Sequence, residues 1–359
     1  MLGKLRFFTL DRGLFVGLLI VVALVFPPLA QNAAWHSSFA TYVHAIVLEA
    51  FPYLLLGALL AGLIECILPA EFLPRLARRL GPFGLPATIA LSPLTPVCEC
   101  GVVPIARSLL SKGLPLPHTV AYLLAAPILN PTVILTTWLA FQDWRYPALR
   151  VLGAVLVALS VGALVGRLGA PRVLLEHLIP APVLPVFGRL RSTKTAHQRT
   201  RFIGNAVLAR VLPPPPLPLP LPLPLRQRVG NLSNQVLDHF LDMGCYFLVG
   251  VFIAAAMKTF LGSHLDTLGN GIVIGPLAMM ATAFVLSLCA EADAFVAASF
   301  TEFSLPAKLA FLVIGPMFDI KLFLMYRKVF KLRFIALLAV ILLMLIELYA
   351  LGLHALGIA

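Results

Sequence analysis

The feature that most restricts the fold is an internal duplication. Residues 48–57 read Leu48-Glu49-Ala50-Phe51-Pro52-Tyr53-Leu54-Leu55-Leu56-Gly57, and residues 241–250 read Leu241-Asp242-Met243-Gly244-Cys245-Tyr246-Phe247-Leu248-Val249-Gly250. Leu, an acid, Tyr, Leu and Gly return at one fixed offset. An apolar stretch broken by polar residues follows each copy: Pro96-Val97-Cys98-Glu99-Cys100-Gly101, then Leu288-Cys289-Ala290-Glu291-Ala292-Asp293. A helix-like run with Pro and a later small polar residue comes next, Pro127 with Asn130 and Pro316 with Asp319. An apolar half repeated with its interruption in the same place is the pattern of secondary transporters.

Lipid is the solvent such a chain requires. It is 60% hydrophobic and 12% charged, with a mean hydropathy of +0.97 over 359 residues, whereas soluble domains carry about 25% charged residues. The net charge of +12 would suit nucleic acid, but the basic residues lie mostly in loops, where they set membrane orientation. No nucleic-acid partner is expected. The five cysteines, Cys66, Cys98, Cys100, Cys245 and Cys289, are odd in number and mostly inside apolar runs. That speaks against an extracellular disulfide framework.

Apolar runs at about residues 14–29, 42–64, 118–140, 148–168, 238–261, 307–326 and 334–356 are long enough to cross a bilayer. The first follows Lys4, Arg6 and Arg12 and is read as an uncleaved helix outside the repeat; a signal peptide is the alternative. Two further stretches, 83–111 and 271–303, either span or enter and return on one side. Loop charge favours return. The segments 65–82, 169–235 and 327–333 are rich in Lys and Arg, whereas 30–41, 262–270 and 357–359 contain none. If both stretches re-enter, every basic loop is cytoplasmic and the N-terminus is inside. The halves are then inverted. The expected fold is an all-α polytopic membrane protein of two inverted repeats, each with a broken re-entrant element, plus the extra helix. Its parts are 1–35, the N-terminal helix; 40–170, the first repeat; 171–235, a basic, proline-rich cytoplasmic linker; and 236–359, the second repeat. The run of prolines from Pro213 favours extended polyproline II and reads as a stiff spacer, with an SH3-type ligand as the alternative.

The candidate site lies at the interruptions. Pro93, Pro96, Gly101 and Pro104 break the helix around Cys98, Glu99 and Cys100. Non-helical backbone at membrane depth is tolerated where protein buries it or it lines a wet cavity. An intramembrane carboxylate is costly and points to function. Two thiols one residue apart do not suit a structural zinc site; they suit a soft, thiophilic ligand. Packing as small apolar groups is the plainer alternative. The second copy has Cys289, Glu291 and Asp293. Two close carboxylates disfavour simultaneous ionisation, so one can carry a proton near neutral pH; capping of the following half-helix is the alternative. Asn130 and Asp319 hold the third matched position, with Lys321 placed to pair with Asp319. Glu49 and Asp242 are read near the beginnings of their helices, as interfacial acids or as site residues. Substrate contacts are therefore expected at Cys98, Glu99, Cys100, Gly101, Asn130, Cys289, Glu291 and Asp293, and proton or ion coupling at Glu99, Glu291, Asp293 and Asp319. The eight histidines are scattered without metal-ligand spacing, and no phosphate-binding loop is present. No metal, cofactor or enzymatic activity is expected.

With Pro96-Val97-Cys98-Glu99-Cys100-Gly101-Val102-Val103-Pro104, Leu124-Ala125-Ala126-Pro127-Ile128-Leu129-Asn130-Pro131 and Cys289-Ala290-Glu291-Ala292-Asp293-Ala294-Phe295-Val296-Ala297-Ala298, the chain resembles the bacterial predicted-permease family whose best-known branch exports trivalent arsenicals. The resemblance covers nearly all but the first helix and the proline linker. It implies an inner-membrane permease for a small solute, a thiophilic metalloid or a sulfur compound among the candidates. A membrane thiol oxidoreductase using Cys98 and Cys100, and a channel-like component, remain as alternatives. The lipid bilayer and the solute are the expected partners, with self-association left open.

Overall fold

The computed structural model describes residues 34–67, 72–95, 97–167, 225–265 and 271–357. The expected N-terminal helix and the proline run of the linker lie outside these residues. From Leu225 the chain is already helical, so a helix starts before the end of the expected linker.

The elements come in one order twice. The long helix α1 (Ala34–Ile67) is followed by the short α2 (Phe72–Leu80). Next are the half-length helices α3 (Gly84–Leu91) and α4 (Glu99–Ser111), the pair α5 (Leu116–Ala125) and α6 (Pro131–Phe141), and the continuous α7 (Arg145–Val165). The second series is α8 (Leu225–Leu265), α9 (Ile274–Leu286) and α10 (Ala290–Ser299), α11 (Leu305–Ile314) and α12 (Ile320–Tyr326), and α13 (Leu332–Ala355). The stretches Thr41–Cys66, Arg145–Val165, Gln235–Met257 and Leu332–Ala355 are each long and apolar enough to cross a membrane. At 1.5 Å per residue, a helix such as α13 matches a hydrocarbon core of about 30 Å. Its exposed face carries Leu337, Val340, Leu343, Met344 and Leu348, a surface suited to lipid.

The two runs read as continuous spans at 118–140 and 307–326 are in fact interrupted. Turns at 126–130 and 315–319 separate α5 from α6 and α11 from α12. Proline explains the break: Pro127, Pro131 and Pro316 have no amide hydrogen, and Pro131 excludes the α conformation from Asn130 before it. A capping side chain restarts each helix. Asn130 Oδ1 accepts from Thr132 N at 3.2 Å, and Asp319 Oδ1 accepts from Leu322 N at 2.6 Å.

Packing fixes the direction of each half-helix. Gly84 at the start of α3 abuts the first turn of α5, where a Cβ on Gly84 would lie 2.7 Å from His118 Nε2. The end of α4 leads into the same turn of α5 through residues 112–115. Helix α3 therefore enters and α4 returns to one side. In the second series a Cβ on Gly275 would lie 3.8 Å from the Ala307 Cβ, so α9 begins level with the start of α11, where α10 has just ended. That pair also re-enters.

The two pairs enter from opposite sides. Glu65 near the end of α1 accepts from Ser108 Oγ at 2.9 Å, and its carbonyl accepts from Lys112 Nζ at 2.5 Å. The end of α1 thus lies with the end of α4. The Cys66 thiol donates to Gln235 Oε1 at 3.0 Å, which puts the early part of α8 there too. At the far side Tyr349 OH, late in α13, donates to the Leu149 carbonyl, early in α7, at 2.7 Å. Arg75, Arg167, Arg327, Lys328, Lys331 and Arg333 belong to segments on the first side. The fold is that of inverted halves, with these basic residues sharing one face.

Candidate functional site

Each re-entrant pair breaks at a cysteine. Cys98 precedes α4 with φ −74° and ψ 175°, and Cys289 precedes α10 with φ −79° and ψ 152°. Both are extended, and the helices before them have already ended, at Leu91 with a 3-10 turn to Leu94 and at Leu286. The carbonyls of Cys98 and Cys289 begin the next helices, accepting from Val102 N at 3.1 Å and Asp293 N at 2.9 Å. Neither thiol caps its helix. Cys98, Cys100 and Cys289 are buried, and all are free thiols. The cysteine-led helix starts of the two halves meet at one junction, where Lys321 Nζ lies 3.5 Å from Glu99 Oε1 and Ser287, two residues before Cys289, accepts from Ile320 N.

Glu99 is the first residue of α4 and is wholly buried. Lys321 of α12 reaches it across the halves, with Nζ 3.5 Å from Oε1 and 3.4 Å from Asp319 Oδ2. The ammonium offsets the cost of two carboxylates removed from water. The break between α9 and α10 meets the same place: Ser287, at φ 50°, accepts from Ile320 N at 3.2 Å. Gly101 completes the first break from behind by packing on Gly57 of α1.

Glu291 and Asp293, read as two close carboxylates at the second break, both lie in the first turn of α10. Two positions apart on a helix, they point to different sides of α10. Glu291 Oε1 accepts from Thr132 Oγ1 of α6 at 3.1 Å. Asp293 is buried against Gly315, where a Cβ would lie 2.5 Å from Oδ2. Its charged neighbours are Arg150, Glu99, Lys321 and Asp319. Asn130 is also buried, but its amide oxygen is spent on the start of α6. Glu49 and Asp242 are not near their helix starts; each lies well inside α1 or α8. Asp242 pairs with Arg107 of α4 and accepts from Lys328 Nζ at 2.8 Å. It is remote in role from Glu49, which interacts with Lys321, Glu291 and Cys289.

Sequence reading missed Arg150. It lies inside the apolar helix α7, 1% exposed, and donates to Thr137 Oγ1 at 2.7 Å and to the Ala290 carbonyl at 3.2 Å. The signal present in the sequence is an arginine within a span, which needs a partner inside the protein. Among the described residues, no group of three His, Cys, Asp or Glu side chains is arranged to hold a metal ion.

Broken helices that bring buried charge and thiols to the junction of two inverted halves define a multi-pass membrane transport protein. Residues 36–354 match the family described as predicted permease, and the chain belongs to that family. It is 35% identical over 297 residues to the UPF0718 protein YcgR of Bacillus subtilis, covering 82% of this chain and 89% of that protein. It is 34% identical over 298 residues to a Streptococcus mutans protein provisionally named a two-component membrane permease complex subunit, covering 81% and 86%. No solved structure matches it.

Proposed function

We propose that this permease is a secondary carrier of the bacterial inner membrane for a small thiophilic solute, a trivalent metalloid or a sulfur compound. The observation that carries this reading is the pair of equivalent cysteine-led half-helix starts, at Cys98 and Cys289, whose breaks are joined by the Lys321–Glu99 contact and the Ile320 N to Ser287 hydrogen bond. Thiols suit a soft ligand, and half-helix N-termini present positive dipole ends to a polarised group. Cys98, Glu99, Cys100, Gly101, Asn130, Cys289, Glu291 and Asp293 form the solute path. Glu99, Glu291, Asp293 and Asp319 couple movement to protons or ions. The face that carries the basic loops is cytoplasmic, and so is the N-terminus.

The thiol oxidoreductase alternative requires Cys98 and Cys100 to cycle between thiol and disulfide in each turnover, which trapping of the thiol redox state during flux detects. A channel differs from a carrier in lacking saturable exchange. A partner subunit, as in the name of the Streptococcus mutans relative, and a homo-oligomer are two assemblies that a mass measurement in detergent separates. The experiment for the central reading is arsenite flux into proteoliposomes with wild type and a Cys98→Ser/Cys100→Ser variant. Saturable flux that the double variant loses, with folded yield retained, supports the thiophilic carrier. Equal flux in both returns the cysteines to packing.

A further inference from the structure

Five carboxylates meet around the breaks, Glu49, Glu99, Glu291, Asp293 and Asp319, and the cations among them are Lys321 and Arg150. The buried part of this cluster is three carboxyl groups, Glu99, Asp293 and Asp319, set against the two cations. Its centre is the gap between Glu99 of one half and Asp319 of the other. Asp319 is fixed there because one oxygen caps α12 and the other is left for Lys321. Lys321 is fixed at its backbone, since its Cα lies 2.9 Å from where a Cβ on Gly250 of α8 would be.

The three groups touch by charge and not by hydrogen bond. Lys321 Nζ, both oxygens of Glu99 and Asp319 Oδ2 are fully buried, and none has a hydrogen-bond partner among the described residues. The separations of 3.4 and 3.5 Å exceed the roughly 2.7–2.9 Å of a charge-assisted hydrogen bond. The ammonium therefore occupies a space wider than a bonded lysine needs. A buried anionic gap of this kind demands a cation, because isolated carboxylates would not remain charged there.

We propose that Glu99 and Asp319 form a monovalent-cation site across the two halves, and that Lys321 fills it with a tethered ammonium. The site rests on the carrier reading only for its purpose, which is to let the halves come together without a dissolved alkali ion. Its existence follows from the geometry. Removing the ammonium opens the gap to Na+ or K+.

The test is thermal unfolding of the purified full chain in NaCl, KCl or choline chloride at equal ionic strength. Wild type should melt at the same temperature in all three salts. Lys321→Ala should be stabilised by Na+ or K+ over choline by about 2 °C or more, the scale expected of a ligand that binds only the native state. Adding Glu99→Gln should abolish that difference. Identical melting of Lys321→Ala in the three salts overturns the proposal, as does a cation effect that survives Glu99→Gln. If the alanine variant is recovered unfolded in every salt, Lys321→Gln is measured in the same way, since it keeps most of the volume and loses the charge; the same results decide. No transported solute is needed, so a failed flux assay and a failed cation effect are separate outcomes.

Discussion

Gly57 and Gly101 meet backbone to backbone: a Cβ on Gly57 would lie 2.5 Å from both the Cα and the carbonyl oxygen of Gly101. The obstacle is main chain, so a side chain cannot be accommodated by a rotamer change. Gly57→Ala should push α4 off α1 and displace Cys98 and Glu99 with it. A cost of about 1–3 kcal/mol is expected, as for overpacking. Thermal unfolding measures it, and Gly352→Ala, where a Cβ would meet nothing within 4 Å, serves as the control with little change.

These glycines belong to the part of the fold that the sequence exposes well. The repeat that aligns Gly57 with Gly250 also aligns Cys98 with Cys289. The glycines allow close approach of a neighbouring helix, and the cysteines mark a new helix start. The distribution of Lys and Arg matched the sides on which the described segments end. The complete breaks at 126–130 and 315–319 escaped because hydropathy sums side-chain preference and does not register where backbone hydrogen bonds lapse. The acids Glu49 and Asp242 were placed too near their helix starts for a related reason: apolarity marks the membrane-thick part of a helix, while α1 and α8 continue through polar residues beyond it. Arg150 and the Glu99–Lys321 contact depend on partners distant in sequence, and no local pattern encodes those.

On the face that carries the basic loops, Asp242 of α8 holds both Arg107 of α4 and Lys328 before α13, and Lys328 also sits 4.3 Å from the centre of the Tyr246 ring. This network joins the first re-entrant helix to the second half. Asp242→Asn should loosen that face. In a variant retaining Cys98 as its single cysteine, labelling by a membrane-impermeant thiol reagent from that side should rise about tenfold, which corresponds to about 1.4 kcal/mol, the scale of two partly buried pairs lost together at about 0.2–1 kcal/mol each. An unchanged labelling rate would remove the network from any closing role.

Asp293 is the buried acid of α10, next to Arg150, and Glu291 is its half-buried companion at Thr132. A carrier that uses either must load and release a proton in each cycle. Asp293→Asn or Glu291→Gln should flatten the pH dependence of net flux and partly spare solute exchange, which needs no unloaded return. A purely structural part predicts lower stability, about 0.5–2 kcal/mol for a lost helix-start interaction, with the pH profile kept. Flux across pH and thermal unfolding of the same proteins separate the two.

Two half-helix pairs that enter from opposite faces and return are the core of this architecture. Single cysteines placed on a cysteine-free background at the exposed positions Phe83 and Ser111 flank the first pair, and those at Ile272 and Thr301 flank the second. Membrane-impermeant labelling of intact cells and of inverted vesicles reports the side of each. With the basic face cytoplasmic, as proposed, positions 83 and 111 label only in inverted vesicles, and 272 and 301 label only in intact cells. Labelling of 83 and 111 from different sides would make that stretch a span and contradict the inverted, re-entrant architecture.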